Sequence, residues 1–347
     1  MTAIAIDDLI MPHRPDVPGL RFRRWRGFDD LAGMSAANQR ARDDLGIEEL
    51  IDLEAMTRTY SNLENCDLSQ DLVITERDGQ TIGYVRVGWN DLTNGGREFY
   101  SFATLDPAER RQGIGQALLS WSEGRLREIA AELPDDRPGE LRAYLRDSDA
   151  GARVLFERNG WRSVARGYDM VRPTLDDIQT IPMPDGLVVR PVTEDDRRTV
   201  WEAAREAFRD HRDEEEWTEA DWATFQGDFP DMSTWVIAFD GDEVAGGIWN
   251  RIDEKENAYH DRQRGALQTV WTGARWRRRG LAKALIVRSL SVLRDRGMTS
   301  AALDVDGANP NQAMSLYLGQ GFEITTSATD WRKPLSPVPS ERLTGAT

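Results

Sequence analysis

The sequence holds a single cysteine, Cys66, and three histidines, His13, His211 and His260, scattered over 347 residues. One thiol excludes intramolecular disulfides and a thiolate metal cage, and dispersed imidazoles give no zinc-ligand spacing, so no metal is expected. No run of about 18 apolar residues occurs, so no membrane partner is expected. The opening MTAIAIDDLIMPHRP carries acids where a secretory leader would carry a basic end, which points to a cytoplasmic location. Positive charge is also in deficit: 44 Lys and Arg stand against 60 Asp and Glu, a net charge of −16. That average field repels polyanions, which argues against nucleic acid as a partner, and it favours a cationic small molecule.

What is present is length, tryptophan and an internal repeat. The chain is about twice the size of one domain, and 12 Trp with 39% apolar residues can supply two cores. The segment ERRQGIGQALL (109–119) recurs as RWRRRGLAKAL (275–285), with Arg110 and Arg277 separated by 167 positions. Upstream, Asp78-Gly79 and Asp240-Gly241 each sit between apolar runs, a hairpin signal. Downstream, LFERNGW (155–161) matches LYLGQGF (316–322), each a helix end followed by Gly and an aromatic.

Each copy therefore reads as strand, one or two helices, hairpin, strand, glycine turn, long helix, strand, helix and closing strands. The first spans 20–172, with its closing strands at 161–171; the second spans 187–334, with its closing strands at 321–333. Residues 173–186, rich in proline and glycine, read as a linker, and the tail after Pro334 reads as disordered.

A strand running into Arg-x-x-Gly-x-Gly/Ala and then a helix brings backbone N–H groups to the positive end of a helix dipole, a site for pyrophosphate. Gly113 and Gly280 leave the backbone bare, Gly115 and Ala282 keep it accessible, and arginines add charge-assisted contacts. A P-loop would need Gly-Lys-Ser/Thr and a Rossmann turn a third glycine with a distal acid; neither copy has them.

Both copies resemble the acyl-coenzyme A turn of the GNAT acetyltransferase superfamily, and the tandem arrangement is similar to the double acetyltransferases of the mycothiol synthase type. The resemblance implies an α/β fold of two tandem GNAT domains, each a mixed, mainly antiparallel sheet flanked by helices, with acetyl-CoA as cofactor. It implies cofactor contacts from Ala103, Thr104, Leu105, Arg110, Arg111, Gln112, Gly113, Ile114 and Gly115 in the first copy. In the second it implies Val270, Trp271, Thr272, Arg277, Arg278, Arg279, Gly280, Leu281, Ala282 and Asn309.

The resemblance also places a tyrosine four residues before the glycine of the Gly-aromatic pair, where it protonates the departing thiolate. The second copy has Tyr317 there and the first has Phe156, which has no proton to give. The expectation is N-acetyl transfer to a primary amine, by direct attack and with Tyr317 as general acid, in the second domain. The first domain is expected to be non-catalytic, either binding acyl-CoA or supporting a pseudo-twofold pair, in a monomer or a homodimer. A sensor that binds acyl-CoA without turnover is the alternative. Base candidates are Asp304, Asp306, His260, Asp261 and the acids 213–216. Trp217, Trp222, Phe225, Phe229 and Trp235 are read first as core and second as an acceptor wall, with Trp271 as a channel wall and Trp276 covering the helix end. Cys66 is read as an inert small residue.

Overall fold

The computed structural model describes residues 8–135, 137–209, 211, 214–307 and 313–335. Asn309, Asp213 and the tail from 336 onward lie outside the described residues. Two compact units emerge: Met1–Val164 with Thr329–Thr347, and Ala165–Ala328.

The first half of the chain runs β1 (Leu20–Arg24), α1 (Asp30–Leu45), α2 (Leu53–Ser61), α3 (Leu68–Asp71), β2 (Leu72–Arg77), β3 (Gln80–Asp91), β4 (Arg97–Leu105), α4 (Ile114–Glu132), β5 (Gly139–Arg146), α5 (Ala150–Arg158) and β6 (Arg162–Arg172). The second runs β7 (Val188–Val189), α6 (Glu194–Phe208), α7 (Glu219–Asp228), β8 (Val236–Asp240), β9 (Glu243–Ile252), α8 (Glu254–Tyr259), β10 (Arg264–Thr272), α9 (Leu281–Asp295), β11 (Ser300–Asp306), α10 (Ala313–Leu318) and β12 (Glu323–Pro334).

The units repeat each other pairing by pairing. In the first, β1 to β4 are successively antiparallel and β4 pairs β5 in parallel. In the second, β7 to β10 are successively antiparallel, β10 pairs β11 in parallel and β11 pairs β6 antiparallel. The hairpins differ by one residue. Asp78 and Gly79 form the first turn, both at positive φ, whereas in the second Asp240 still pairs with Glu243 and Gly241 alone has positive φ. The hairpins thus correspond as Asp78 to Gly241, one residue off the match drawn from the Asp-Gly pairs.

The closing strands also differ from the sequence division. Residues 165–172 of β6 belong to the second unit, where Met170 is fully buried with Tyr317 and Phe322. Residues 329–334 of β12 belong to the first, where Trp331 packs with Phe156 and Trp161. Met170 and Trp331 occupy the same place in the repeat, so apolar patterning alone does not decide which unit each completes. The segment read as a linker is anchored: the Leu175 amide donates to the Thr299 carbonyl at 3.0 Å, and Leu175 and Leu187 are buried in the second core.

Candidate active site

In the second unit β10 and β11 pair only from Arg264 to Ala266, against Ser300 to Ala302. Beyond that point β10 continues on β9 as far as Thr272, so its β11-facing edge from Leu267 onward has no strand partner among the described residues. A bulge falls at the parting point, where Leu267 faces Asn250, Thr269 faces Trp249 and Gln268 has no partner. An inserted residue bends a strand and re-aims its groups. In the first unit β4 leaves β5 after Tyr100 in the same way, yet its register on β3 is unbroken from Arg97 to Leu105. The bulge is therefore a feature of one unit only. No residue type in GALQTVWTG announces it, and it was missed in the sequence.

Close approach at the strand end depends on a glycine across the ladder. A Cβ on Gly246 would lie 2.9 Å from the Trp271 carbonyl oxygen and 3.2 Å from the Thr272 Cα; on Gly83 it would lie 2.5 Å from the Thr104 carbonyl oxygen. Thr272 Oγ1 is buried and has no partner among the described residues. Trp271 is buried in an aromatic cluster with Trp249 and Phe225, and its Nε1 likewise has no partner. Val270 is half-buried against the core that contains Tyr317. In the first unit Ala103 is exposed, Thr104 buried and Leu105 half-buried.

Each strand leads into a turn of the same backbone. Arg111 and Gly113 have φ of 65° and 87°, and Arg278 and Gly280 have 60° and 84°, so both turns place two left-handed residues two positions apart. A non-glycine residue held in that region carries a conformational cost and marks a constrained turn. Among described helices of eight or more residues, α4 and α9 alone have neither an acid in the first turn nor a side-chain cap. Their first N–H groups and positive dipole ends are left for an external anion. Leu281 and Ile114, directly after the glycines, are fully buried and fix the helix starts, each contributing about 1.5–3 kcal/mol.

The arginines divide. Arg277 turns inward: its Nε donates to the Thr272 carbonyl at 3.2 Å and its Nη2 to the Ala207 carbonyl at 2.8 Å, tying the turn to the end of α6. Arg110 does the same work on α1, through an ion pair of 2.6 Å with Asp44. Gln112 is half-buried and donates to Glu109 at 3.0 Å. Arg279 reaches the Asp185 carbonyl at 3.4 Å. Arg111 and Arg278 are exposed, and no contact within the protein engages either guanidinium among the described residues. The glycines differ in access: nothing lies within 4 Å of a Cβ on Gly280, whereas Pro15 Cβ lies 3.2 Å from one on Gly113. Gly115 and Ala282 are both half-buried in the first helical turn. Asp240 accepts from Trp276 Nε1 at 2.9 Å, which fixes the ring under the short turn before Arg277.

Tyr317 is 6% exposed and packs edge-on to Phe322 at 6.0 Å, in the core that also holds Leu267, Leu303 and Val305 of the two parting strands. Its hydroxyl donates to no group among the described residues. Burial, then the nearby Asp304 carboxylate, push its pKa above the usual phenol value, so the proton is held at neutral pH. Phe156 is 7% exposed and packs on Trp161 at 4.7 Å. Of the base candidates, Asp304 and Asp306 are on exposed positions of β11, His260 packs on Tyr259 at 4.9 Å, and Asp261 sits in a turn at φ 48°. Glu214 accepts from Trp217 Nε1 at 2.9 Å. The aromatics Trp217, Trp222, Phe225, Phe229 and Trp235 form one cluster with Trp201 and Trp249. In the first unit Cys66 is half-buried, and burial pushes its thiol up to about 11.

No helix among the described residues is long and apolar enough to cross a membrane. Residues 197–322 match the acetyltransferase (GNAT) family, and residues 69–163 match an acetyltransferase (GNAT) domain. Mycothiol acetyltransferase of Salinispora arenicola is 30% identical over 271 residues, covering 76% of this chain and 81% of that protein. Mycothiol acetyltransferase of Salinispora tropica is 28% identical over 304 residues, covering 81% and 92%. Among solved structures, a GCN5-related N-acetyltransferase from Sphaerobacter thermophilus superposes with a TM-score of 0.69 at 23% identity, covering 93% of this chain and 97% of that one. A tandem GNAT protein from the clavulanic acid biosynthesis pathway gives 0.63 at 15% identity, covering 92% and 100%. With two such domains and relatives matched over most of their length, the chain belongs to the GNAT family of acetyltransferases and is a tandem acetyltransferase resembling mycothiol acetyltransferase.

Proposed function

We propose that the second unit transfers an acetyl group from acetyl-CoA to a primary amine of a small acceptor, while the first unit does not catalyse. The observation that carries the reading is the pair of matched positions: a buried tyrosine with an uncommitted hydroxyl, Tyr317, where the first unit has Phe156. The residues present fit the cofactor. The uncapped start of α9, with Gly280, Leu281 and Ala282, suits the pyrophosphate; Arg278 and Arg279 add charge; and the free edge of β10 from Leu267 to Thr272 suits an extended amide-bearing arm. Acetyl-CoA, when bound, supplies the activated acyl group.

The chain's own part is positioning and proton delivery. The backbone N–H groups around the Gln268 bulge are donors for a carbonyl oxygen that gains negative charge. Tyr317 holds a proton at neutral pH for the sulfur that leaves. Direct attack by the amine is favoured, because Cys66 sits in the first unit with its thiol held protonated. The net charge of −16 attracts a cationic acceptor, which must lose a proton before it attacks.

The test is thiol release from acetyl-CoA against an amine panel that includes mycothiol-type compounds, for which the relatives are named, beside a cofactor-stoichiometry titration. Amine-dependent thiol release that Tyr317→Phe suppresses supports the reading. Release that Tyr317→Phe leaves intact removes Tyr317 from it, and absence of release across the panel counts against this acceptor class.

A further inference from the structure

Arg86 lies in the middle of β3, paired across to Leu72 on β2 and Phe102 on β4. Its guanidinium is flanked by two phenol rings, with Cζ at 5.3 Å from the Tyr60 centre and 5.5 Å from that of Tyr100. Nε and Nη1 are both fully buried and have no hydrogen-bond partner among the described residues; the Tyr60 hydroxyl and the Cys66 thiol lie close enough to interact with the guanidinium, and no carboxylate pairs with it. Asp71, the buried acid of the neighbouring helix, is already taken by Arg125 at 2.8 Å and by the Asp67 amide at 2.7 Å. Space for the second ring comes from Gly88, where a Cβ would meet Tyr100 Oη at 2.6 Å.

A buried cation without an anion is costly, and two cation–π contacts offset only part of that cost. The repeat does not require it, because Gly83 and Gly246 are matched and the position matched to Arg86 is then Trp249, an aromatic in the second core. We propose that the first unit binds a small monoanionic carboxylate at Arg86, beside Tyr60, Tyr100 and Cys66. A planar monoanion matches one guanidinium and lies comfortably against phenol faces. A phosphate dianion would bring a second charge with no second cation at the site. Arg86 as a whole is half-buried, and Nη2 is not among its fully buried nitrogens.

The experiment uses the full chain at constant ionic strength, titrated with benzoate and acetate, with benzamide as the neutral isostere and inorganic phosphate as the competing anion. The expected result is a saturable rise of about 2–4 °C in Tm with benzoate and a flat response to benzamide. Arg86→Met is expected to abolish the rise and Arg86→Lys to weaken it. Gly88→Ala, which keeps the charge but displaces Tyr100, is expected to weaken benzoate binding at least about fivefold and guards against a misfolded Arg86→Met. Equal shifts with benzoate and benzamide, no shift with either carboxylate, or a benzoate shift that survives Arg86→Met would each overturn the proposal. An Arg86-dependent shift with phosphate alone would overturn the carboxylate assignment.

Discussion

Phe156 and Tyr317 occupy one position of the repeat, each four residues before a left-handed glycine, Gly160 or Gly321, and each buried to nearly the same degree. The first ring pairs with those of Trp161 and Trp331, and the second, among the described residues, with that of Phe322. The difference between the units at this point is one oxygen atom. Removing it from Tyr317 is expected to lower kcat by about 10²–10⁴-fold while KM for acetyl-CoA changes less than about twofold, as steady-state kinetics would read. The oxygen has no hydrogen-bond partner among the described residues, so Tyr317→Phe should leave Tm nearly unchanged.

Gly280 and Gly113 have almost the same φ but different surroundings. An alanine at either costs about 1–2 kcal/mol of left-handed strain. Gly280→Ala is expected to raise KM for acetyl-CoA severalfold. Gly113→Ala, whose Cβ would also press on Pro15, is expected to lower Tm and leave turnover intact. Comparing Tm and KM for the two variants separates the roles.

Arg277 and Arg278 are neighbours with opposite duties. Arg277→Gln should cost stability, about 1–3 kcal/mol by denaturant unfolding, because it abandons two carbonyls. Arg278→Gln should leave stability within about 0.5 kcal/mol and weaken acetyl-CoA binding in a salt-dependent manner.

Cys66 titrates near 11 in the folded chain because burial disfavours the thiolate. At pH 8 about one thiol in a thousand is ionised, so alkylation by iodoacetamide should be slow and should rise about tenfold per pH unit up to that value. In denaturant the thiol should react at the ordinary rate at pH 8, which mass spectrometry would register.

Trp331 closes the first unit, although it lies 171 positions after Gly160. Trp331→Ala is expected to destabilise that unit by about 3–5 kcal/mol. Hydrogen exchange should accelerate around Phe156 and Trp161 first, and around Tyr317 only afterwards.

The order of elements, both glycine turns and the Phe156/Tyr317 contrast were legible in the sequence, because each rests on local chemistry. Helix and strand periods, a glycine where φ must be positive and a hydroxyl present or absent are all written residue by residue. Ownership of the closing strands was not legible, since Met170 and Trp331 satisfy the same apolar pattern and only packing chooses between the two cores. The Gln268 bulge and the split between inward Arg277 and outward Arg278 were equally hidden, because register and side-chain direction depend on what a neighbouring strand or helix end presents. The sequence by itself determined that two similar domains exist and which one carries a tyrosine hydroxyl, that of Tyr317, where the other has Phe156. The tertiary structure alone decided which strand completes each domain, which arginines remain free, and that a buried cation, Arg86, stands among tyrosines drawn from distant parts of the chain.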